Sequence, residues 1–90
     1  MRLIWSDHAW EDYLSWQTSD AVVLRRINDL IKETMRTPFA GMGKPEPLRG
    51  NLKGFWSRRI NGEHRLVYRV SGKGAEQALE IAQCRRHYEQ

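Results

Sequence analysis

The stretch "GFWSRRINGEHRLVYRV", residues 54–70, contains two β-prone runs on either side of an Asn-Gly pair at 61–62. Asn-Gly between such runs is the strongest short-range signal for a β-hairpin. A two-residue turn would pair Arg59 with His64, whereas a three-residue turn would pair Arg59 with Arg65 on one face. The residues leave both registers open, because a slip of one residue exchanges the two faces of a strand.

Two further strands are predicted outside the hairpin. Residues 2–6, "RLIWS", read as a short edge or near-edge strand. The nearly continuous apolar run "QALEIAQC", residues 77–84, is typical of a well-covered inner strand, and "RRHYE" continues it. The element order β-α-α-β-β-β predicts an α+β fold, with two N-terminal helices packed on one face of a mostly antiparallel, twisted sheet. The length predicts one domain spanning residues 1–90.

The two helices are predicted from their caps and apolar stripes. Ser-Asp pairs at 6–7 and 19–20 are typical N-caps, and the second helix should end near Met35, because Pro38 disfavours helix in the residue before it. The stripe of the first helix is expected to face the core, and it consists of Trp10, Tyr13 and Leu14. The stripe of the second helix consists of Val23, Ile27, Leu30, Ile31 and Thr34.

A long loop precedes the hairpin. Residues 37–54 contain all three prolines and four of the seven glycines, and a long loop in a compact domain is usually functional or disordered. We expect this loop to be ordered by its apolar side chains, which are Phe39, Met42, Leu48 and Leu52. Within "KPEPL", residues 44–48, two prolines hold Glu46 in a rigid, extended segment that suits a general base. The alternative is an ordinary exposed loop glutamate.

The basic charge lies in the second half of the chain. The formal net charge is +4, residues 1–45 contain six basic and six acidic side chains, and residues 46–90 contain nine and five. Such an excess is typical of a polyanion-binding protein, although a solvated basic face would serve solubility alone. On the hairpin, some arginines could bind phosphate and others could be solvent-facing spacers; they are Arg58, Arg59, Arg65 and Arg69.

The location of the protein is predicted to be the cytoplasm. The first residues contain no long apolar run, so neither a signal peptide nor a membrane span is expected. Cys84 is the single cysteine, which fits a reducing compartment, and we expect it to be a small buried residue rather than a reactive thiol.

The residue types fit metal-free cleavage of RNA. A two-metal nuclease needs clustered carboxylates, but residues 44–69 hold only Glu46 and Glu63, and no Cys/His ligand spacing is present. RNA supplies its own nucleophile, the 2′-hydroxyl, so a base, an acid and one or two arginines suffice. His8, expected to be solvated, and His64 compete for the acid role. The candidates for these tasks are Glu46, His87, Arg65 and Arg59.

Five segments, in order and with similar spacing, carry a resemblance to a known family. They are "LIWS", "KPEPL", "GFWSRRI", "EHRLVY" and "CRRHY", and together they resemble the YoeB/Txe family of bacterial toxins within the RelE superfamily. The resemblance implies a RelE-like fold similar to that of microbial ribonucleases. It also implies a toxin that enters the bacterial ribosomal A site and cuts messenger RNA by 2′-hydroxyl attack, with no metal and no cofactor.

The resemblance further implies residue roles. Glu46 would be the general base, and His87 the general acid for the 5′-oxygen leaving group. Arg65 would stabilise the phosphorane-like transition state and Tyr88 would orient the nucleotide. The resemblance favours a looser turn, with the two hairpin arginines facing one site, and Glu89 would favour the protonated form of the acid. The residues expected to hold phosphate and backbone are Lys44, Arg49 and Arg59.

Partners also follow from the resemblance. The cognate partner would be a YefM/Axe-like antitoxin whose disordered C-terminal segment folds on the toxin. The complex would bind operator DNA through the antitoxin, with the toxin as corepressor, and a homodimer is a further expectation. The competing hypothesis is a non-catalytic module that blocks the ribosome or acts only as corepressor. Glu46 favours the enzyme, because a carboxylate in a basic groove repels phosphate and gives a pure RNA binder no advantage.

Overall fold

The structure, a computed structural model, describes residues 1–88, so the expectation placed on Glu89 lies outside the described residues. Two helices and five strands follow one another along the chain. They are β1 (Arg2–Trp5), α1 (Asp7–Ser19), α2 (Ala21–Arg36), β2 (Glu46–Pro47), β3 (Trp56–Arg59), β4 (Arg65–Ser71) and β5 (Ala78–Gln83). Short 3₁₀ turns at Gly50–Leu52 and Gly74–Glu76 lie in the connections before β3 and β5.

The five strands form one sheet in the order β1-β5-β4-β3-β2. β1 runs parallel to β5 and every other pairing is antiparallel, which confirms the predicted mostly antiparallel α+β fold. β2 was not predicted, because two residues within a proline-rich loop carry no periodic signal. Pro47 is tolerated there because β2 is an edge strand, where a missing N–H breaks no inner ladder.

Both predicted helix caps are confirmed. The Ser6 hydroxyl accepts the Ala9 N–H at 3.0 Å, and one oxygen of Asp20 accepts the N–H groups of Val22 and Val23 at 3.1 Å each. The predicted stripe of α2 is buried along its whole length against the sheet. The helical core residues pack with side chains of β4 and β5, which include Leu66, Tyr68, Leu79 and Ile81.

The predicted core face of α1 is wrong for two residues. Trp10 and Leu14 are 44% and 41% exposed, and α1 instead buries Ala9 and Trp16. Trp10 packs at the sheet edge, with its ring 5.7 Å from that of Trp5. α1 rotates this way because the small Ala9 permits close approach to the sheet, and because the indole N–H of Trp16 donates to the Cys84 carbonyl at 2.9 Å.

The loop before the hairpin is ordered, as predicted, but not by all the predicted apolar side chains. Leu48 is buried and Leu52 is half-buried, whereas Phe39 and Met42 are exposed. A polar residue, Arg58, also holds the first part of the loop. Arg58 is fully buried, so it is neither a solvent-facing spacer nor available to phosphate.

The Arg58 guanidinium ties the loop to the sheet through backbone carbonyls. It donates to Met42 at 2.8 Å, to Ala40 at 2.9 Å and also to Thr37. Its Nε donates to the Tyr68 hydroxyl at 3.1 Å, and that hydroxyl donates to the Pro38 carbonyl at 2.7 Å. Burial raises the pKa of Tyr68, and the nearby guanidinium opposes part of that rise.

Candidate active site

The hairpin places two arginines side by side on the face of the sheet opposite the core. Arg59 pairs directly with Arg65 across β3 and β4, and directly opposed residues of an antiparallel pair point to the same face. Ser57 shares that face, because it lies two residues before Arg59 on β3. Glu46 shares it too, because β2 pairs Glu46 with Ser57. The register that pairs the two arginines on one face is therefore confirmed.

The turn of the hairpin is the looser, three-residue alternative. The Ile60 N–H donates to the His64 carbonyl at 3.0 Å and closes a loop of residues 61–63. The Asn61 side chain stabilises this loop by accepting the N–H groups of Glu63 at 2.9 Å and His64 at 2.8 Å. Asn61 thus acts as a side-chain acceptor in the turn, and this sets the register.

Tyr88 joins the end of the described chain to this face. Its hydroxyl donates to a Glu46 carboxylate oxygen at 3.0 Å and accepts from the Ser57 hydroxyl at 3.3 Å. Glu46 is exposed, so the hydrogen bond orients a carboxylate that water and a ligand can still reach. Ser57 is buried and was missed in the sequence. Its alternation with Arg59 along β3 is the signal that could have indicated it.

His87 lies beside Tyr88 at the surface. The two rings are 5.2 Å apart between centroids, and the His87 side chain is exposed. Gln83 at the end of β5 fixes the backbone here, because its amide N–H₂ donates to the carbonyls of Arg85 and His87 at 3.2 Å each. Gln83 was also missed, since an amide at the end of an apolar strand gives no local sign of its partners.

The remaining predicted residues surround this group. The Arg65 guanidinium is half-buried and is oriented by donating to the carbonyls of Asn61 at 2.7 Å and His64 at 3.1 Å. Arg59 is exposed on the same face. Lys44 and Arg49 are exposed on either side of β2 along the chain. One face of the sheet thus carries a carboxylate and two guanidinium groups, a phenol reaches that carboxylate, and the exposed imidazole of His87 lies beside the phenol.

Cys84 takes no part in this chemistry. The thiol is fully buried, and burial, with a smaller contribution from Asp12, raises its pKa to about 12. The expectation of a small buried residue is therefore confirmed. Within residues 1–88, no three His, Cys, Asp or Glu side chains are grouped so that they could hold a metal ion. No helix in that part of the chain is long and apolar enough to cross a membrane.

Comparison with known proteins identifies the family. The profile of the YoeB-like toxins of bacterial type II toxin–antitoxin systems matches residues 5–88. Toxin YoeB of Escherichia coli K12 is 59% identical over 88 residues, which cover 98% of this chain and all of the relative.

Solved structures agree with the sequence match. The structure of a YoeB/ParE toxin from Agrobacterium tumefaciens is 59% identical, with a TM-score of 0.94 over 98% of this chain and all of that chain. Two Staphylococcus aureus structures, a YoeB dimer and a heterotetrameric YoeB–YefM complex, are each 43% identical over 98% of both chains, with TM-scores of 0.86 and 0.85. The predicted RelE-like fold is thereby confirmed, and the chain belongs to the family of YoeB-like toxins of type II toxin–antitoxin systems.

Proposed function

We propose that this toxin is an endoribonuclease that cuts messenger RNA in the bacterial ribosomal A site, by attack of the 2′-hydroxyl and without a metal. The observation that carries the proposal is the 3.0 Å hydrogen bond from Tyr88 to Glu46, on the face where Arg59 lies opposite Arg65. Three separate parts of the chain meet there, namely the proline-rich loop, the hairpin and the C-terminal segment. A basic surface that also orients a carboxylate suits catalysis better than simple binding of phosphate.

The proposed reaction is a transesterification followed by release of the downstream RNA. Glu46 takes the proton of the 2′-hydroxyl, and the resulting oxygen attacks the adjacent phosphorus. The bond from phosphorus to the 5′-oxygen breaks, His87 donates a proton to that oxygen, and a 2′,3′-cyclic phosphate remains. Arg65 stabilises the added negative charge on the phosphorus oxygens in the transition state. Tyr88 orients the nucleotide and the base.

The other basic residues bind rather than react. Arg59 holds the phosphate, and Lys44 and Arg49 attract the backbone of the messenger near β2. Contacts of this kind position a nucleic acid and carry little sequence information. They also make association weaker at high salt.

We further propose that residues 1–90 form one toxin domain that acts in the cytoplasm under the control of a cognate YefM/Axe-like antitoxin. The S. aureus YoeB–YefM complex supports the antitoxin partner, and the S. aureus YoeB dimer supports a homodimer. An acidic, disordered antitoxin segment would suit the basic second half of this chain. The complex would bind operator DNA through the antitoxin, with this chain as corepressor.

The test is a translation-coupled cleavage assay. Bacterial ribosomes with a defined A-site codon are mixed with wild type, Glu46→Gln and His87→Ala, and the messenger 3′ ends are mapped by primer extension. We expect a cut within the codon that slows at least about 100-fold in either variant. Glu76→Gln is the matched control, because Glu76 is exposed in the turn before β5. Intact messenger with translation still blocked would overturn the proposal in favour of the non-catalytic module.

A further inference from the structure

The chain makes an unfavourable turn just before His87. Arg86 has a φ of +67°, in the left-handed region that a side chain with a Cβ rarely adopts. Lys44, two residues before Glu46, has a φ of +52°. Each proposed proton-transfer residue therefore follows closely on a residue in a disfavoured conformation, and such a conformation persists only where neighbouring groups hold it.

Two hydrogen bonds from adjacent hairpin residues hold Arg86. Its N–H donates to Nδ1 of His64 at 2.7 Å, and its carbonyl accepts the N–H of Arg65 at 3.0 Å. His64 is only 8% exposed, and Trp16 packs edge-on against its ring at 4.8 Å. The N–H and the carbonyl of Arg86 are thus bound to His64 and Arg65. Arg65 is the first residue of β4 and a proposed catalytic residue.

The hydrogen bond requires that Nδ1 of His64 carry no proton. A ring nitrogen that accepts an N–H carries no proton, so the proton of a neutral ring is on Nε2. Nε2 lies 3.6 Å from a carboxylate oxygen of Glu63. Among residues 1–88, the charged residues on the elements around the ring include Glu63 and Arg65 on the hairpin, Arg86 itself, Arg85 stacked on Trp16, and Arg26 of α2, which donates to the Ile60 carbonyl.

We propose that His64 is a positioning residue for the cleavage reaction: its unprotonated Nδ1 holds Arg86 in the left-handed turn and so directs His87 and Tyr88 toward Glu46. The inference rests on the proposed function for its catalytic consequence. Protonation of Nδ1 would set one N–H against another and remove the attachment. The Arg86 amide would then lose its acceptor and the left-handed turn would loosen, although the Arg65 N–H and the Gln83 amide would still hold neighbouring carbonyls of the segment.

The first test uses NMR on the full-length toxin without RNA. At pH 7.5, long-range ¹H–¹⁵N spectra should show an unprotonated Nδ1 and a protonated Nε2 in His64. On acidification, the hydrogen-exchange protection of the Arg86 amide should fall in step with His64 protonation. A protonated Nδ1 at pH 7.5, or Arg86 protection that does not change while His64 titrates, would overturn the proposal.

Two substitutions of His64 provide a matched pair. In His64→Asn, the amide oxygen occupies a position equivalent to Nδ1 and cannot titrate, so Arg86 protection should persist at low pH. In His64→Gln, the acceptor is one bond further along the side chain, so protection should be lost at every pH. If His64→Gln fails to fold, the wild-type titration and His64→Asn still decide the question.

The second test measures A-site cleavage from pH 7.5 to pH 6. His64→Asn should keep at least about half of the wild-type rate at pH 7.5 and lose less on acidification, whereas folded His64→Gln should be at least about tenfold slower. His87 is common to all three proteins, so a difference in pH profile reports His64. A folded His64→Gln that cuts as fast as wild type overturns the positioning role. A wild type that never cuts instead overturns the proposed function, while the NMR result still decides the attachment.

Discussion

Two segments deliver the proposed catalytic groups, and a buried, ionisable side chain of the hairpin helps to attach each of them. The loop that leads to Glu46 is held by Arg58, and the C-terminal segment with Tyr88 is held by His64. A guanidinium keeps its proton at any physiological pH, whereas an imidazole loses or gains one near neutrality. By the proposal above, the Arg58 attachment is permanent and the His64 attachment is conditional, because it is lost when the ring is protonated. Both attachments come from neighbouring parts of one hairpin.

The strongest way to break the permanent attachment is Arg58→Met. This change leaves the carbonyls of Thr37, Ala40 and Met42 without their donor and should lower the free energy of unfolding by about 3 kcal/mol. Urea denaturation at pH 7.5 measures the loss. Arg59→Met is the matched control, because Arg59 is exposed, and it should change stability by less than about 0.5 kcal/mol. Equal effects of the two changes would contradict the buried role of Arg58.

A smaller loss is expected on the side of the C-terminal segment from Trp16→Phe. The change removes the indole donor to the Cys84 carbonyl and weakens the stacking of Arg85, whose Cζ lies 4.2 Å from the ring. The free energy of unfolding should fall by about 1–2 kcal/mol, as measured by urea denaturation. Trp10→Phe, at an exposed ring of the same helix, should have less effect than that. A larger decrease in the free energy of unfolding for Trp10→Phe than for Trp16→Phe would contradict our assignment of the buried face of α1.

Ser57→Ala tests the hydrogen bonds through which Tyr88 of the C-terminal segment contacts Ser57 and Glu46. Tyr88 loses the Ser57 donor but keeps Glu46 as its acceptor, so stability should fall by about 0.5–1 kcal/mol. In the cleavage assay this variant should lose much less activity than Glu46→Gln. The NMR signals of Tyr88 should shift, and unchanged signals would show that the hydroxyl pair does not form in solution.

The sequence predicts the elements with local signals and misses the attachments without them. The hairpin, both caps and the α2 stripe depend on neighbouring residues, and they are confirmed. Arg58 in an alternating strand looks like a surface residue, because its acceptors lie in a loop that folds over it only in the tertiary structure. The contact of Glu46 with Tyr88 joins residues far apart in the chain, through an edge strand and a left-handed turn that have no sequence period. The catalytic roles themselves stay predictions.

The smallest expected effect is the acid sensitivity that Glu33 gives to the loop held by Arg58. The Glu33 carboxylate accepts from the Arg36 guanidinium at 2.6 Å and from the Met42 N–H at 3.4 Å, and chiefly the first of these lowers its pKa below the ordinary value of 4.5. A lowered pKa in the folded protein stabilises it above about pH 4.5, and this stabilisation is lost as the pH falls through the folded-state pKa.

Glu33→Gln should therefore be slightly less stable than wild type at pH 6, and the difference should shrink toward pH 3 in urea denaturation. Glu11→Gln, at an exposed position of α1, serves as the control and should show no such convergence. Because Glu33 responds only to strong acid, the amides of Thr37 and Met42 should stay protected over the pH range in which the Arg86 amide loosens in the same exchange experiment. If the loop and the C-terminal segment lost protection at the same pH, one opening motion would expose both of them. The distinction between a permanent and a conditional attachment would then be wrong.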